Sequence, residues 1–352
     1  MAIEKFTISK DNNVYEAFPR VALTAAGNLI CAFTECNHHG DRSYTRIVYT
    51  ISTDRGRTWG EKLPLTESTE GLNYYYDCVG LTRLNDGRLV VVVNMSNHSE
   101  GFAQGNYNQS ENVLYFGDVE GNNWVGPIKT PVTGIVPDNL LELNSGRWII
   151  TTHKKSKQHE FLEQQLWYSD NQGTDWIGPI TVASKEGLHL CEASILTLSD
   201  GTLVAYLREN SGEGWDGFKA ISKDYGETWD GPYRVPLPGC HRPVAGRLQN
   251  GNVLITYRFM QGGKGWLGYW TQNLFAALTD EDSAKAENRN EQWSRILPID
   301  FDRSLVSDTG YSDWIQFDDG EIYIVNYIVD DAPKAYIRGY AVREDDFLFK
   351  TK

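Results

Sequence analysis

Six times along this chain, a short turn ending in glycine leads into an apolar, strand-like run. The turns are Ala25-Ala26-Gly27, Asn85-Asp86-Gly87, Asn144-Ser145-Gly146, Ser199-Asp200-Gly201, Gln249-Asn250-Gly251 and Asp318-Asp319-Gly320. Runs such as Leu89-Val90-Val91-Val92-Val93 follow them directly. A turn dipeptide flanked by β-branched and aromatic residues reads as a β-hairpin, here expected to close through two turn residues. The copies stand 50 to 69 residues apart.

A second repeat, SxDxGxTW, overlaps the first. It is complete at Ser52–Trp59 and Ser222–Trp229, degenerate at Ser169–Trp176 and weaker at Gly117–Trp124. The stretch from Thr279 to Trp293 reads as a fifth copy without its turn. Its logic is local: serine and aspartate tie down a glycine turn while the tryptophan packs between adjacent sheets. These aspartates are therefore expected to be structural. Six strand-rich units without helical periodicity predict an all-β, six-bladed β-propeller. No composition break divides the chain, so residues 1–352 are expected to form a single propeller domain. Ala335–Val342 reads as a strand that closes the ring with the N-terminus.

Charge narrows the function classes. A formal charge of -14 argues against nucleic acid, whose phosphates need a basic surface. An anionic small ligand stays compatible, provided the cations are gathered at one place. The five cysteines show no CxxC spacing, which argues against a zinc site or a disulfide framework. No apolar stretch is long enough for a membrane span, and the polar start lacks the apolar core of a signal peptide. The expectation is a soluble, cytoplasmic protein unless a leader was removed.

The hairpin register locates the centre of the ring. Strands on either side of a turn are antiparallel neighbours, so positions equally far from it share one sheet edge. Nine residues before the glycine stand Glu192, Arg242 and Tyr311; seven after it stand Asn94, His153, Arg208, Arg258 and Tyr327. Arg20 lies seven before Gly27, and Asp77 and Asp138 precede the turns of the second and third units. Such polar residues at inner strand ends predict a charged mouth.

At these residues the sequence resembles the sialidase superfamily over nearly its whole length. Phe18-Pro19-Arg20-Val21 is similar to that family's first arginine motif, with the proline ahead of the arginine rather than after it. Ala32-Phe33-Thr34-Glu35, followed by Asp41, resembles the segment leading to the acid/base aspartate, although Cys36 and Asn37 stand where an arginine is usual. Cys191-Glu192 with Leu207-Arg208 matches the family's glutamate and second arginine. Gly310-Tyr311-Ser312-Asp313 matches the segment bearing its tyrosine nucleophile. Trp266–Leu278, where a third arginine is expected, contains none, and blade register offers Arg258 first and Arg242 second.

The resemblance implies an exo-acting, retaining glycosidase that releases a terminal sialic acid or related sugar acid from a glycan or sialoglycoconjugate. Tyr311 would be the nucleophile, Glu192 its base and Asp41 the acid/base; Arg20, Arg208, Arg258 and Arg242 would hold the substrate carboxylate. No cofactor or metal is implied. His38, His39 and Asp41 form a weak metal motif, since adjacent loop histidines seldom converge without further ligands. A neutral tyrosine suits an anionic substrate, because an ionised carboxylate nucleophile would repel it. Arginine suits a carboxylate by its planar, permanently charged fork. The alternatives are a propeller lyase or uronic-acid glycosidase, with His153, His189, His241 and Arg242 near the mouth, and a non-catalytic glycan-binding propeller.

Overall fold

The computed structural model describes residues 3–98, 110–261 and 271–348. Six four-stranded antiparallel sheets surround a central channel as a six-bladed propeller. The innermost strands are Tyr15–Leu23, Tyr74–Arg83, Leu141–Glu142, Leu190–Thr197, Cys240–Arg247 and Thr309–Gln316. Ring closure is as expected: Glu4–Ser9 pairs with Tyr336–Val342, so the sixth blade takes its outermost strand from the start of the chain.

The inner hairpins close differently from the expected two-residue form. Thr24 N–H donates to Asn28 O at 2.8 Å and Gly27 N–H to Thr24 O at 3.0 Å, leaving three loop residues. The same pair of bonds recurs at Leu84, Leu143, Leu198, Leu248 and Phe317. The reason is conformational. Only the third loop residue takes a positive φ, from 81° at Gly27 to 91° at Gly87, whereas a two-residue primed turn needs positive φ at its leading residue as well. Ala25-Ala26 could not satisfy that without strain.

The apolar core is also sixfold. One buried cluster fills each gap between neighbouring blades, such as Ile30, Tyr49, Leu81 and Val91 between the first two. Leu196, Val204, Val253 and Ile255 play the same part between the fourth and fifth. The SxDxGxTW turns feed these clusters. Ser52 Oγ receives Gly56 N–H at 2.8 Å, Asp54 receives Thr58 N–H at 2.8 Å, and Trp59 Nε1 donates to Gly56 O at 3.2 Å. Trp59 thereby lies against Tyr323 of the sixth blade. In the fifth blade a short helix, Glu281–Lys285, replaces the turn, and Trp293 Nε1 donates to the Asp280 carboxylate at 2.8 Å instead of a glycine carbonyl.

Candidate active site

Every inner strand carries a bulge at the end remote from its turn. Two residues stand opposite one: Phe18-Pro19, Asp77-Cys78, Glu192-Ala193, Arg242-Pro243 and Gly310-Tyr311. In the third blade, Ile135 bridges His153 and Asp138 N–H donates to Thr151 O, which leaves Val136-Pro137 looped out. The first bulge residue adopts positive φ in five blades: 59° at Phe18, 51° at Val136, 50° at Glu192, 48° at Arg242 and 99° at Gly310. For a non-glycine residue that backbone costs about 1 kcal/mol or more, and bulges of this kind re-aim side chains beside functional sites.

The bulge lies one residue further from the turn in the second, third and sixth blades than in the other three. Counting nine back from the glycine therefore gives the first bulge residue for Glu192 and Arg242 but the second for Tyr311. This offset lets an acid and a phenol from two blades meet instead of competing for equivalent space. Gly310 makes it sterically possible, since a Cβ there would stand 2.6 Å from Arg258 Cβ.

Tyr311 and Glu192 are in direct contact. The Tyr311 hydroxyl donates to Glu192 Oε1 at 2.5 Å. Arg208 Nη1 donates to both Glu192 oxygens, at 2.9 and 3.0 Å, and lies 3.2 Å from the Tyr311 oxygen. All three side chains are buried. Burial pushes the Glu192 carboxyl up, but the Arg208 charge, with His153 and the tyrosine hydroxyl, outweighs it and holds the group below its ordinary value. Burial and then the Glu192 charge push the Tyr311 phenol far up. The ground state is a neutral phenol donating to a carboxylate.

The other arginines divide between two layers. Arg258 lies across the Tyr311 ring, 4.4 Å from its centroid, and donates to Thr309 O and the Tyr327 hydroxyl, each at 2.6 Å. Arg242 lies 5.8 Å from the same centroid and donates to Pro137 O at 3.1 Å; its buried Nη1 has no partner among the described residues. Arg20 is one layer below. It is the first residue after its bulge, and its guanidinium donates to Val79 O at 3.1 Å, Ser312 O at 3.2 Å and Asp138 Oδ1 at 3.3 Å. Those three acceptors belong to residues that immediately follow the bulges of three other blades, so Arg20 ties inner strands together across the axis. Phe18 takes the mouth position of the first blade, 5.2 Å from the Tyr311 ring. A small cavity beside Tyr311 is lined by Phe18, Pro19, Arg20, Arg242 and Ser312.

Asp41 stands apart from this cluster. It lies exposed at the tip of the second hairpin of the first blade, its carboxylate accepting from Ser43 N–H at 3.0 Å and Ser43 Oγ at 2.7 Å. Those bonds hold its pKa below the ordinary value. The next residue faces the opposite way: Arg42, its side chain 13% exposed, pairs with Asp77 at 3.1 Å and lies over the Phe18 ring at 5.0 Å. Sequence register could not find Arg42, because it sits on a third strand rather than an inner hairpin. His38, His39 and Asp41 also part company. His38 packs on Tyr15, whereas His39 Nδ1 lies 2.6 Å from Asp308 Oδ2. Residues 266–270 of the segment expected to carry a third arginine lie outside the described residues.

Residues 108–324 match the family model described as the BNR repeat-like domain. The chain belongs to the BNR repeat-like family. A curated relative, the sialidase of Clostridium perfringens, is 22% identical over 277 residues, covering 72% of this chain and 59% of that protein. The chain thus spans about three fifths of that relative's length. Among solved structures, a protein of unknown function from Dyadobacter fermentans superposes with a TM-score of 0.79 at 20% identity, covering 97% of this chain and 98% of the other. The intramolecular trans-sialidase of Ruminococcus gnavus superposes with a TM-score of 0.70 at 14% identity, covering 98% of both chains. These likenesses establish a sialidase-like propeller for this BNR repeat-like chain.

Proposed function

We propose that the protein is an exo-acting, retaining glycosidase for a terminal sugar acid of the sialic acid class. The observation that carries this is the 2.5 Å hydrogen bond from Tyr311 to Glu192, braced by Arg208. A phenol is a weak nucleophile at its ordinary pKa of 10.0 and needs an adjacent base. Glu192 takes the Tyr311 proton as the phenol oxygen attacks the anomeric carbon, and the arginines at the mouth receive the substrate carboxylate. Arg242 is the strongest candidate, since its buried Nη1 has no partner among the described residues, whereas Arg208, Arg258 and Arg20 already bind protein acceptors. Similarity to proteins named sialidase and intramolecular trans-sialidase supports the substrate class.

The full engagement of Arg20 favours one second reading, a glycosidase for a different sugar acid, because it removes one arginine from the carboxylate site. A panel of fluorogenic glycosides separates the two. The wild-type protein is expected to cleave the α-sialoside with retention of configuration by proton NMR, and Tyr311→Phe to lose turnover by on the order of 10³-fold or more while remaining folded. Cleavage of a uronide but no sialoside would select the second reading. Full activity in Tyr311→Phe would refute both.

A further inference from the structure

A retaining hydrolysis needs a group to protonate the leaving oxygen and later deprotonate water. From the geometry of the rim we infer that His39, held by Asp308, is that group. The inference rests on the proposed glycosidase reading.

Asp308 lies three residues before Tyr311, just ahead of the same inner strand. Its half-buried carboxylate accepts from the Tyr15 hydroxyl and, at 2.6 Å, from the Tyr327 hydroxyl, with Arg258 at 3.6 Å. Burial would push this carboxyl up; His39, Arg258 and Tyr15 together hold it far below its ordinary value. An ionised Asp308 fixes the proton on His39 Nδ1 and leaves Nε2 for exchange with a bound substrate. The imidazole stands edge-on to Phe18, ring centroids 5.4 Å apart, and Phe18 in turn touches the Tyr311 ring. His39 also lines a cleft with Asp308, Gln272, Ser307, Val306 and Lys334, which mixes polar and apolar groups as a sugar requires. With the His39 side chain 37% exposed, the group is both anchored and accessible. The charged and titratable groups around it are Asp308, with Arg258 and Tyr327 on that carboxylate, and Tyr15, His38 and Lys334 of the same cleft.

In the first half-reaction, Tyr311 oxygen bonds to the anomeric carbon and its proton passes to Glu192. The bond to the leaving oxygen breaks, its electron pair stays on that oxygen, and His39 Nε2 donates the proton that neutralises it. In the second, neutral Nε2 takes a proton from water as the water oxygen attacks the anomeric carbon. The tyrosyl bond breaks, and the phenolate recovers its proton from Glu192.

The test compares kcat/KM on a 4-methylumbelliferyl α-sialoside, whose leaving group needs little protonation, with that on sialyllactose, whose leaving group needs it fully. For His39→Gln the loss on sialyllactose is expected to exceed that on the aryl sialoside by about 100-fold, and the basic limb of the pH profile to flatten. Asp308→Asn, as a positioning change, is expected to shift that limb with a smaller loss. Equal losses on both substrates with an unchanged pH profile would overturn the assignment. So would a leaving-group-selective loss in Asp41→Asn in place of His39→Gln. A wild-type protein that cleaves neither compound would instead overturn the sialoside reading on which the assignment rests.

Discussion

The two ends of the six inner hairpins follow opposite rules. At the turn end all six are alike, with a three-residue loop, a left-handed glycine and the same pair of backbone bonds. At the bulge end all six differ: Phe18, Asp77, Val136, Glu192, Arg242 and Gly310 occupy equivalent places. The lower channel mouth mixes Leu23, Leu81, Leu141, Ile195 and Trp314 with Arg83, Asp138 and Asp313, whereas Glu192 and Arg208 meet Tyr311 at the bulge mouth. Uniform turns set six strands in register; the bulges spend local backbone strain to aim chemically distinct side chains at one axis.

The sharpest way to separate the ends is Glu192→Gln. It keeps shape but removes the base and the buried charge opposite Arg208, so kcat is expected to fall about 10²- to 10⁴-fold, with a drop in melting temperature that Tyr311→Phe does not share. The same residue sets an acid limit. Its folded pKa lies below the ordinary 4.5, so the active carboxylate persists above that value and is lost only as pH falls through the lower folded pKa. The acid limb of kcat/KM is therefore expected below pH 4.5, and a limb well above it would contradict an Arg208-stabilised base.

Arg20→Met tests the layer between the two ends. It leaves the buried Asp138 carboxylate with only Arg242 at 3.7 Å and frees two carbonyls, and is expected to cost about 3 kcal/mol in chemical denaturation. Loss of substrate affinity with unchanged stability would return Arg20 to the binding site. At the exposed SxDxGxTW turns the effect is smallest. Asp224→Ala removes the acceptor for Thr228 N–H at 2.9 Å and is expected to cost about 1 kcal/mol without touching activity. Loss of activity there would give these aspartates a role beyond the fold.

How much was legible follows the same division. The repeated turns, the sixfold blades and the ring closure are written locally, in glycine spacing and strand composition, and all could be read. Glu192, Arg208 and Tyr311 were legible because each belongs to an inner hairpin with countable register. The two-residue turn was misread because glycine looks alike at the second and third loop positions until the closing bonds are seen. Arg20 and Phe18 changed places relative to the mouth because a bulge displaces side chains in a way counting cannot register. Arg42, Asp308 and the orientation of His39 depend on contacts between the first, second and sixth blades, which no local pattern encodes.

The central claim is that Tyr311 forms a covalent bond to the sugar. Incubation with a fluorinated sialosyl fluoride, which slows breakdown of the intermediate, followed by proteolysis and mass spectrometry, tests it directly. A glycosyl adduct is expected on the peptide carrying Tyr311, absent from Tyr311→Phe and slow to form in Glu192→Gln. An adduct on another residue, or turnover of the reagent with inversion and no adduct, would contradict it.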